Sequence, residues 1–442
     1  MKKVMRSRLT RVILGLIATA AVTVAVLFSI DGTSSRQSGP RHDQEEAQSS
    51  TSDPESGRWR RARAPSLSEE QRRAIRRLES LGYLAGSQLA PAQDGVTIYD
   101  DSKACGGLNF VVSGHAPEAL LMSMSGETLH RWDCDIHRSW PDFKADEETA
   151  RFNHHTYWRR AHLLPNGDVL AIFERIGLIK LDRHSRVVWA VRNKAHHDLD
   201  VDENGNIYVL TGEAHINSKY NSEQPIWEDY ISVLDSQGRE LRRVSILEAL
   251  LNSEFVTLLD RAEPEGDILH TNTVELIQEL PDTKATPFRK GTVLTAIRQL
   301  DLTCAIDLEK ETVYWAEPDL CCRQHQPTLL DNGNVLVLDN IRTLVSSAVI
   351  EFEPISTQVE WSYLGGVDGV FCTGMCGSCQ RLPNGNTLIT ESDRGRAFEV
   401  TPEKVTVWEY VNPHRAGQED QLIATLFDVV RLREDFPVGW LE

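Results

Sequence analysis

The chain carries no basic stripe. Its 65 acidic residues outnumber the 47 basic ones, and the net charge is −18. No cationic face is available to neutralise phosphates, which excludes nucleic acid as a partner. Membrane-length apolar runs are almost absent too. The one example is Val12 to Ile30, 19 residues without a charge and just long enough to span a bilayer as a helix. Lys2, Lys3, Arg6, Arg8 and Arg11 precede it, which favours a cytoplasmic N-terminus. No small-x-small site follows, so the run reads as an uncleaved signal anchor; a cleaved signal peptide is the competing reading. On the anchor reading, 1–11 is a cytoplasmic tail and 12–30 the membrane span. The remainder then lies on the periplasmic, or extracytoplasmic, side. Residues 31–65 are rich in Ser, Gln, Arg and Glu and are expected to be a disordered linker. In 66–94, Ser68 and Gln71 have capping-box spacing. Ile75, Leu78 and Leu81 follow, with Gly82 as a stop, so a short helix is expected over 68–81, then a connector.

What the chain does have is a repeat. Its first half is strand, turn, strand: LLPNGDVLAIF (163–173), LDVDENGNIYVL (199–210), LLDNGNVLVL (329–338) and RLPNGNTLIT (381–390). Asn-Gly after an alternating apolar run is a strong hairpin signal. The second half is strand, short turn, strand ending in Trp, at Trp132, Trp189, Trp315, Trp361 and Trp408. A sixth copy lacks the Trp and ends near Val244. Successive endings lie roughly 45 to 70 residues apart, the scale of a four-stranded propeller blade. The expectation is an all-β, six-bladed β-propeller over 95–442, with 421–433 pairing back onto strands near 108–132. A β-sandwich has no reason to repeat this unit six times.

Three histidines occupy related positions in the repeat. His197 lies eight residues before Gly205, and His325 eight before Gly333. His270, in LHTNTVELI, begins a segment of the same type whose turn is replaced by an insert. Equivalent positions around an axis converge, so the three are expected at one end of a central channel. Arg159 stands eight before Gly167 and is a second anion-binding candidate. His154, His155 and His162 flank the same strand and are further candidates to line the channel. His196 is expected on the opposite side of its strand from His197.

Eight cysteines are present. Cys372, Cys376 and Cys379 have the CxxxCxxC spacing of a radical iron–sulfur motif, but no βα units accompany them. In a protein beyond the membrane, disulfides are the expectation; a zinc site that also uses Cys321 and Cys322 is the alternative. Cys304 falls within an expected strand, as an ordinary buried thiol.

Over about 95–412 the chain resembles the bacterial PAPS-independent arylsulfotransferases. The resemblance runs through GVTIYDDSKACGGLNFV, RRAHLLPNGDVLAIFE, HHDLDVDENGNIYVL, LHTNTVEL, VLTAIRQLDLTCAIDLEKETVYW and QHQPTLLDNGNVLVLDN. It implies a six-bladed propeller with its site at the central channel. It also implies His325 as nucleophile, His197 and His270 as further site histidines, and Arg298 as the sulfate-binding arginine. The cysteines beside His325 and in 363–379, the insert 214–230 and the helical-looking stretch 245–259 depart from the family pattern. They bear on the identity of donor and acceptor.

The implied chemistry also stands on general grounds. Sulfuryl transfer, like phosphoryl transfer, spreads negative charge over peripheral oxygens, so it needs a nucleophile and fixed positive charge. A neutral imidazole supplies the first, and the fork of an Arg the second. The expected cycle is ping-pong, from an aryl sulfate donor through sulfo-His325 to a phenolic acceptor. It needs no cofactor or metal. Two other readings stand beside it. One is a non-catalytic propeller that binds a ligand or partner in a His-lined channel, in which three convergent His hold zinc. The other, a quinone-cofactor propeller dehydrogenase, would need stacked aromatics at channel positions, and the repeated Trp fall at outer strand ends instead.

Overall fold

Each half-unit is apolar on both faces because each strand is covered on both sides. The computed structural model describes residues 88–145, 153–281, 286–343, 346–366, 369–416 and 420–441, together with Ser68 and Gln71. The expected tail 1–11, anchor 12–30 and linker 31–65 lie outside these. Among the described residues no helix is long and apolar enough to cross a membrane. Of the helix expected over 68–81, the capping box is described. Ser68 N–H donates to Gln71 Oε1 at 2.9 Å, and Gln71 N–H to Ser68 Oγ at 3.0 Å.

Six antiparallel sheets form the propeller. From inside outward, blade 1 is Leu426–Leu432, Leu108–Ser113, Glu118–Met122 and Thr128–Asp133. The inner strands of blades 2 to 6 are Arg160–Leu163, Ala195–Val201, Glu275–Leu276, His325–Leu329 and Ser378–Arg381. In each of these, three further strands follow in chain order. Successive residues of a strand point to opposite faces, and both faces meet a neighbouring blade. In Val169–Phe173, Leu170 and Ile172 pack with Leu199 and Val209 of blade 3. Val169, Ala171 and Phe173 pack with Phe110, Leu121 and Trp132 of blade 1. Six such clusters fill the six gaps between blades.

The ring closes twice. Leu426–Leu432 pairs with Leu108–Ser113, with Phe110 opposite Val430, as the sequence leads one to expect. Gly95–Tyr99 adds a fifth, outermost strand to blade 6, with Tyr99 opposite Trp408, which the repeat does not announce. The repeated tryptophans peg each blade to the next. Trp132 Nε1–H donates to Gly167 O at 2.9 Å, Trp189 to Ser236 O at 3.1 Å, and Trp315 to Pro354 O at 3.1 Å. Trp361 donates to Pro402 O at 2.9 Å, and Trp408 to Met124 O at 2.9 Å. Blade 3 ends in Val244 instead of Trp. There Arg242 reaches Glu309 and Glu311 in the blade 4 turn.

The expected disulfides are not formed: all eight cysteines are free thiols. Cys304 is buried within blade 4, Cys134 contacts Ser139 at 3.3 Å, and Cys379 Sγ points at Gln326 O at 3.8 Å.

Candidate active site

The inner strands begin at one end of the channel, and there they leave regular pairing. In blade 3, Val209 and Thr211 pair with Leu199 and Ala195, so 196–198 stand opposite one residue. In blade 5, His325 pairs with Leu338 and Thr328 with Leu336, so Gln326 and Pro327 stand opposite one residue. Bulges of this kind re-aim side chains. Left-handed backbone accompanies them at His197 (φ 56°), His270 (φ 51°) and Gln326 (φ 49°). The bulge also defeats the expected alternation. His196 does not simply face away; its Nδ1 lies 2.8 Å from His197 Nδ1.

His325 is 3 % exposed. Its Nδ1 faces Asn340 Oδ1 at 2.7 Å and Arg323 O at 3.1 Å. The Asn340 amide cannot be turned round, because its Nδ2 already donates to Thr373 O at 2.7 Å and Cys376 O at 2.9 Å. The Asn340 oxygen therefore faces His325, Nδ1 carries the proton, and Nε2 keeps its lone pair. That Nε2 is buried and has no hydrogen-bond partner. Burial, then the nearby Arg159, and more weakly Arg298 and His270, push the His325 pKa down to about 3 against the opposing pull of Asn340. The imidazole is neutral at physiological pH.

His270 follows a two-residue strand, Gly266–Asp267, and its Nδ1 lies 2.8 Å from Asp267 Oδ2. Its carbonyl accepts the Arg298 N–H at 3.3 Å. Arg298 is the first residue of the 3-10 turn Arg298–Leu300 after strand Val293–Ile297, at the strand's end instead of within it. His197 sits edge to face with His270, ring centroids 4.9 Å apart. Burial and the neighbours His270, His196, Arg159 and Arg175 hold its pKa well below the ordinary value. The structure thus gathers His197, His270, His325, Arg159 and Arg298 in one place. His154 lies on its flank, near Glu174 and Arg175, with its pKa lowered by burial to about 4. His162 is further along the blade 2 inner strand, near Arg160, and burial lowers it to about 4.

The floor below is a belt of ion pairs. Arg160 bridges blades 1, 2 and 3 through Asp428 and through Asp198 at 2.9 Å. Asp198 and Asp200 bind the N–H groups of Val274 and Leu276 in blade 4, and Glu275 that of Leu329 in blade 5. These bonds fix the inner strands against one another, and with them the histidines.

Several residues of the site carry no repeat signal. Asn340 lies in the second strand of blade 5, Val335–Thr343, and Asp267 beyond the long insert. Arg175 and Glu174 occupy a turn of blade 2. Tyr157 has a buried hydroxyl with no partner and senses Glu174, Arg159 and Cys376 electrostatically. Buried polar atoms left unsatisfied in one place mark a site built for a polar ligand or water.

The zinc alternative is not favoured by this geometry. Among the described residues, three possible ligand atoms come within 4.8 Å of one another at His115, Glu118 and His414, not at the channel histidines. At that cluster the two imidazoles lie face to face at 3.3 Å, and Arg131 grips Glu118. In-plane lone pairs of stacked rings do not converge on a metal.

A sequence profile described as arylsulfotransferase (ASST) matches residues 160–413. The chain belongs to the arylsulfotransferase family. The matched span holds all five gathered residues but Arg159, which stands one position before it. No curated protein matches the sequence. Among solved structures, similar ones include a protein of unknown function from Bacteroides caccae, 11% identical, TM-score 0.47, covering 74% of this chain and 100% of that one. Another is a streptogramin B lyase, 9% identical, TM-score 0.42, covering 78% and 95%. Neither likeness bears on the chemistry of this arylsulfotransferase-family site.

Proposed function

We propose that the protein transfers a sulfuryl group from an aryl sulfate to a phenolic acceptor by a ping-pong cycle through sulfo-His325. The observation that carries this reading is the His325 imidazole, neutral, with Nδ1–H committed to Asn340 and Nε2 bare and buried. In the first half-reaction Nε2 attacks sulfur and the S–O(aryl) bond breaks. The electron pair leaves on the phenolate oxygen, which takes a proton from a neighbouring histidine. In the second, the acceptor hydroxyl returns a proton to that histidine as its oxygen attacks sulfur. The N–S bond then breaks and its electron pair returns to Nε2. Arg298 and Arg159 hold the peripheral oxygens, where charge is concentrated in the transition state.

The test is incubation with a chromogenic aryl sulfate, with and without a phenol. The expected result is phenol release, a sulfo-peptide containing His325 that disappears when acceptor is added, and loss of both in His325→Ala. Full sulfotransfer by His325→Ala would overturn the reading. The uncharged run Val12 to Ile30 supports a companion proposal, that the propeller is anchored by one span on the extracytoplasmic side. Carbonate extraction should leave the protein in the membrane pellet, and its release would reject the anchor.

A further inference from the structure

The insert in blade 3 has built something. Its middle strands, Ile207–Asn217 and Asn221–Leu234, run longer than those of the other blades. The extension carries Trp227, and the returning chain lays Gly266–Asp267 parallel against it, Asp267 opposite Trp227. Asp267 Oδ2 accepts from two sides, from His270 Nδ1 at 2.8 Å and from Arg175 Nη2 at 2.8 Å. Arg175 is itself clamped, its guanidinium stacked 4.1 Å over the Trp227 ring. Asp229, two residues on, takes the Trp227 indole N–H at 2.7 Å and the Thr271 N–H at 2.7 Å. The His270 backbone is thereby tied down on the strand that fixes Asp267.

We propose that Asp267 is a positioning residue: it holds His270 with a proton on Nδ1 and makes His270, not His197, the proton carrier of the transfer cycle. This rests on the sulfotransfer reading. A carrier must accept and release a proton near neutral pH, and an adjacent carboxylate stabilises the protonated ring. With Nδ1 spent on Asp267, the exchanging nitrogen of His270 is Nε2. His197 is placed differently. Its Nδ1 meets His196 at 2.8 Å, Glu174 Oε1 stands 3.7 Å from that nitrogen, and the cations Arg159 and Arg175 face the ring. The groups facing His270 are Asp267 on its own segment, Arg175 behind the carboxylate, His197 from blade 3, His325 from blade 5, and Arg298 through the backbone. Arg175 shares the carboxylate and so tempers the charge that His270 receives.

The proposal makes opposite-signed predictions for two variants. The imidazole titration of His270 is read by nitrogen NMR in the full chain with selectively labelled histidine. Asp267→Asn should lower the midpoint of His270 and free its tautomer. Arg175→Gln should raise the midpoint, because the carboxylate is then shared with no other cation. Turnover of Asp267→Asn should fall about a hundredfold with donors whose phenolate leaves poorly, and little with donors whose phenolate leaves well, with KM nearly unchanged. The titration reports the pairing, and the leaving-group dependence reports its use: an Asp267 that only held the fold would leave that dependence unchanged. An unchanged His270 midpoint in Asp267→Asn overturns the proposal, as does an equal loss for every donor. The titration needs no turnover, so failure of sulfotransfer in the wild-type protein is told apart from failure of the Asp267–His270 pairing.

Discussion

Asn340 Oδ1 and His325 Nδ1 are 2.7 Å apart, and that bond, with the Arg323 carbonyl 3.1 Å from the same nitrogen, decides which ring nitrogen can react. Asn340→Ala removes the closer of the two Nδ1 acceptors, leaving the Arg323 carbonyl, and weakens the hold on tautomer and ring orientation. Formation of the sulfo-enzyme should slow by roughly ten- to a hundredfold, the scale of losing one orienting partner of a functional histidine, with the fold intact by circular dichroism. Asn340→Asp sets a carboxylate there instead. His325, held at about pKa 3 in the wild type, should then titrate nearer neutrality, and activity should fall on the acid side of the pH–rate profile. A profile identical to wild type would reject this role for Asn340.

The two arginines share the work of holding charge. Arg298→Ala should cost about 3 kcal/mol of transition-state stabilisation, roughly a hundredfold in rate. Arg159→Ala should cost a similar amount, and it should also raise the His325 pKa, because Arg159 is the stronger of the two cationic influences on that ring. Steady-state kinetics on both single variants and the double variant measure the coupling. Purely additive losses would mean that the two side chains do not hold one group together.

How far the sequence reaches is seen in which residues obey the repeat. Hairpin periodicity locates the inner strands, and through them His197, His325 and Arg159, because a repeated unit around an axis carries one offset to one place. It also foretells the return of the C-terminal strand to blade 1. It is silent on Asn340, whose role comes from a loop folded over it from blade 6. It is silent on Asp267 as well, which an insert without repeat character delivers. The tryptophans are visible as punctuation, but their acceptors are carbonyls of the next blade's turn, and a carbonyl has no residue signature. The alternation that sets His196 opposite His197 fails because a bulge is a backbone event, and the side chains of that stretch do not encode it.

Those indole pegs are a direct test of the ring. Trp408 sits at the seam, 0% exposed, with its N–H on Met124 O. Trp408→Phe keeps most of the apolar packing and deletes the donor. It should lower stability by about 1–3 kcal/mol, the cost of leaving a buried acceptor unmade. Val244, where blade 3 lacks the peg, should tolerate conservative replacement better. Urea midpoints of the two variants make the comparison, and equal losses would count against the peg.

Acid should unfold the protein earlier than its carboxylates alone dictate. His154 and His162 are held at about 4, and His325 at about 3, by burial. Each is neutral in the fold and takes a proton in the unfolded chain below about 6.5. Between about pH 6.5 and 4 the unfolded state binds more protons. The stability these groups permit is complete above 6.5 and is lost as pH falls through that window. The measurement is the urea midpoint against pH. His162→Gln, away from the reacting nitrogen, should make the acid slope shallower by about one proton; an unchanged slope would show that His162 titrates normally.

Glu275 works in the other direction. Burial, against the opposing pull of the Leu329 N–H, raises its carboxyl to about 8, with Asp200 and Asp198 adding to the rise. In the unfolded chain it ionises near the ordinary 4.5, so between about 4.5 and 8 the folded state binds the extra proton. The stability that depends on that proton is complete below 4.5 and is lost as pH rises through 8. Glu275→Gln keeps a carbonyl oxygen for the Leu329 N–H and never ionises. The variant should therefore match the wild type near pH 4.5, gain on it steadily up to about pH 8, and hold a constant advantage above. Thermal midpoints at four or five pH values are enough to trace this. A gap that is flat with pH would mean that Glu275 ionises in the fold as it does in the unfolded chain.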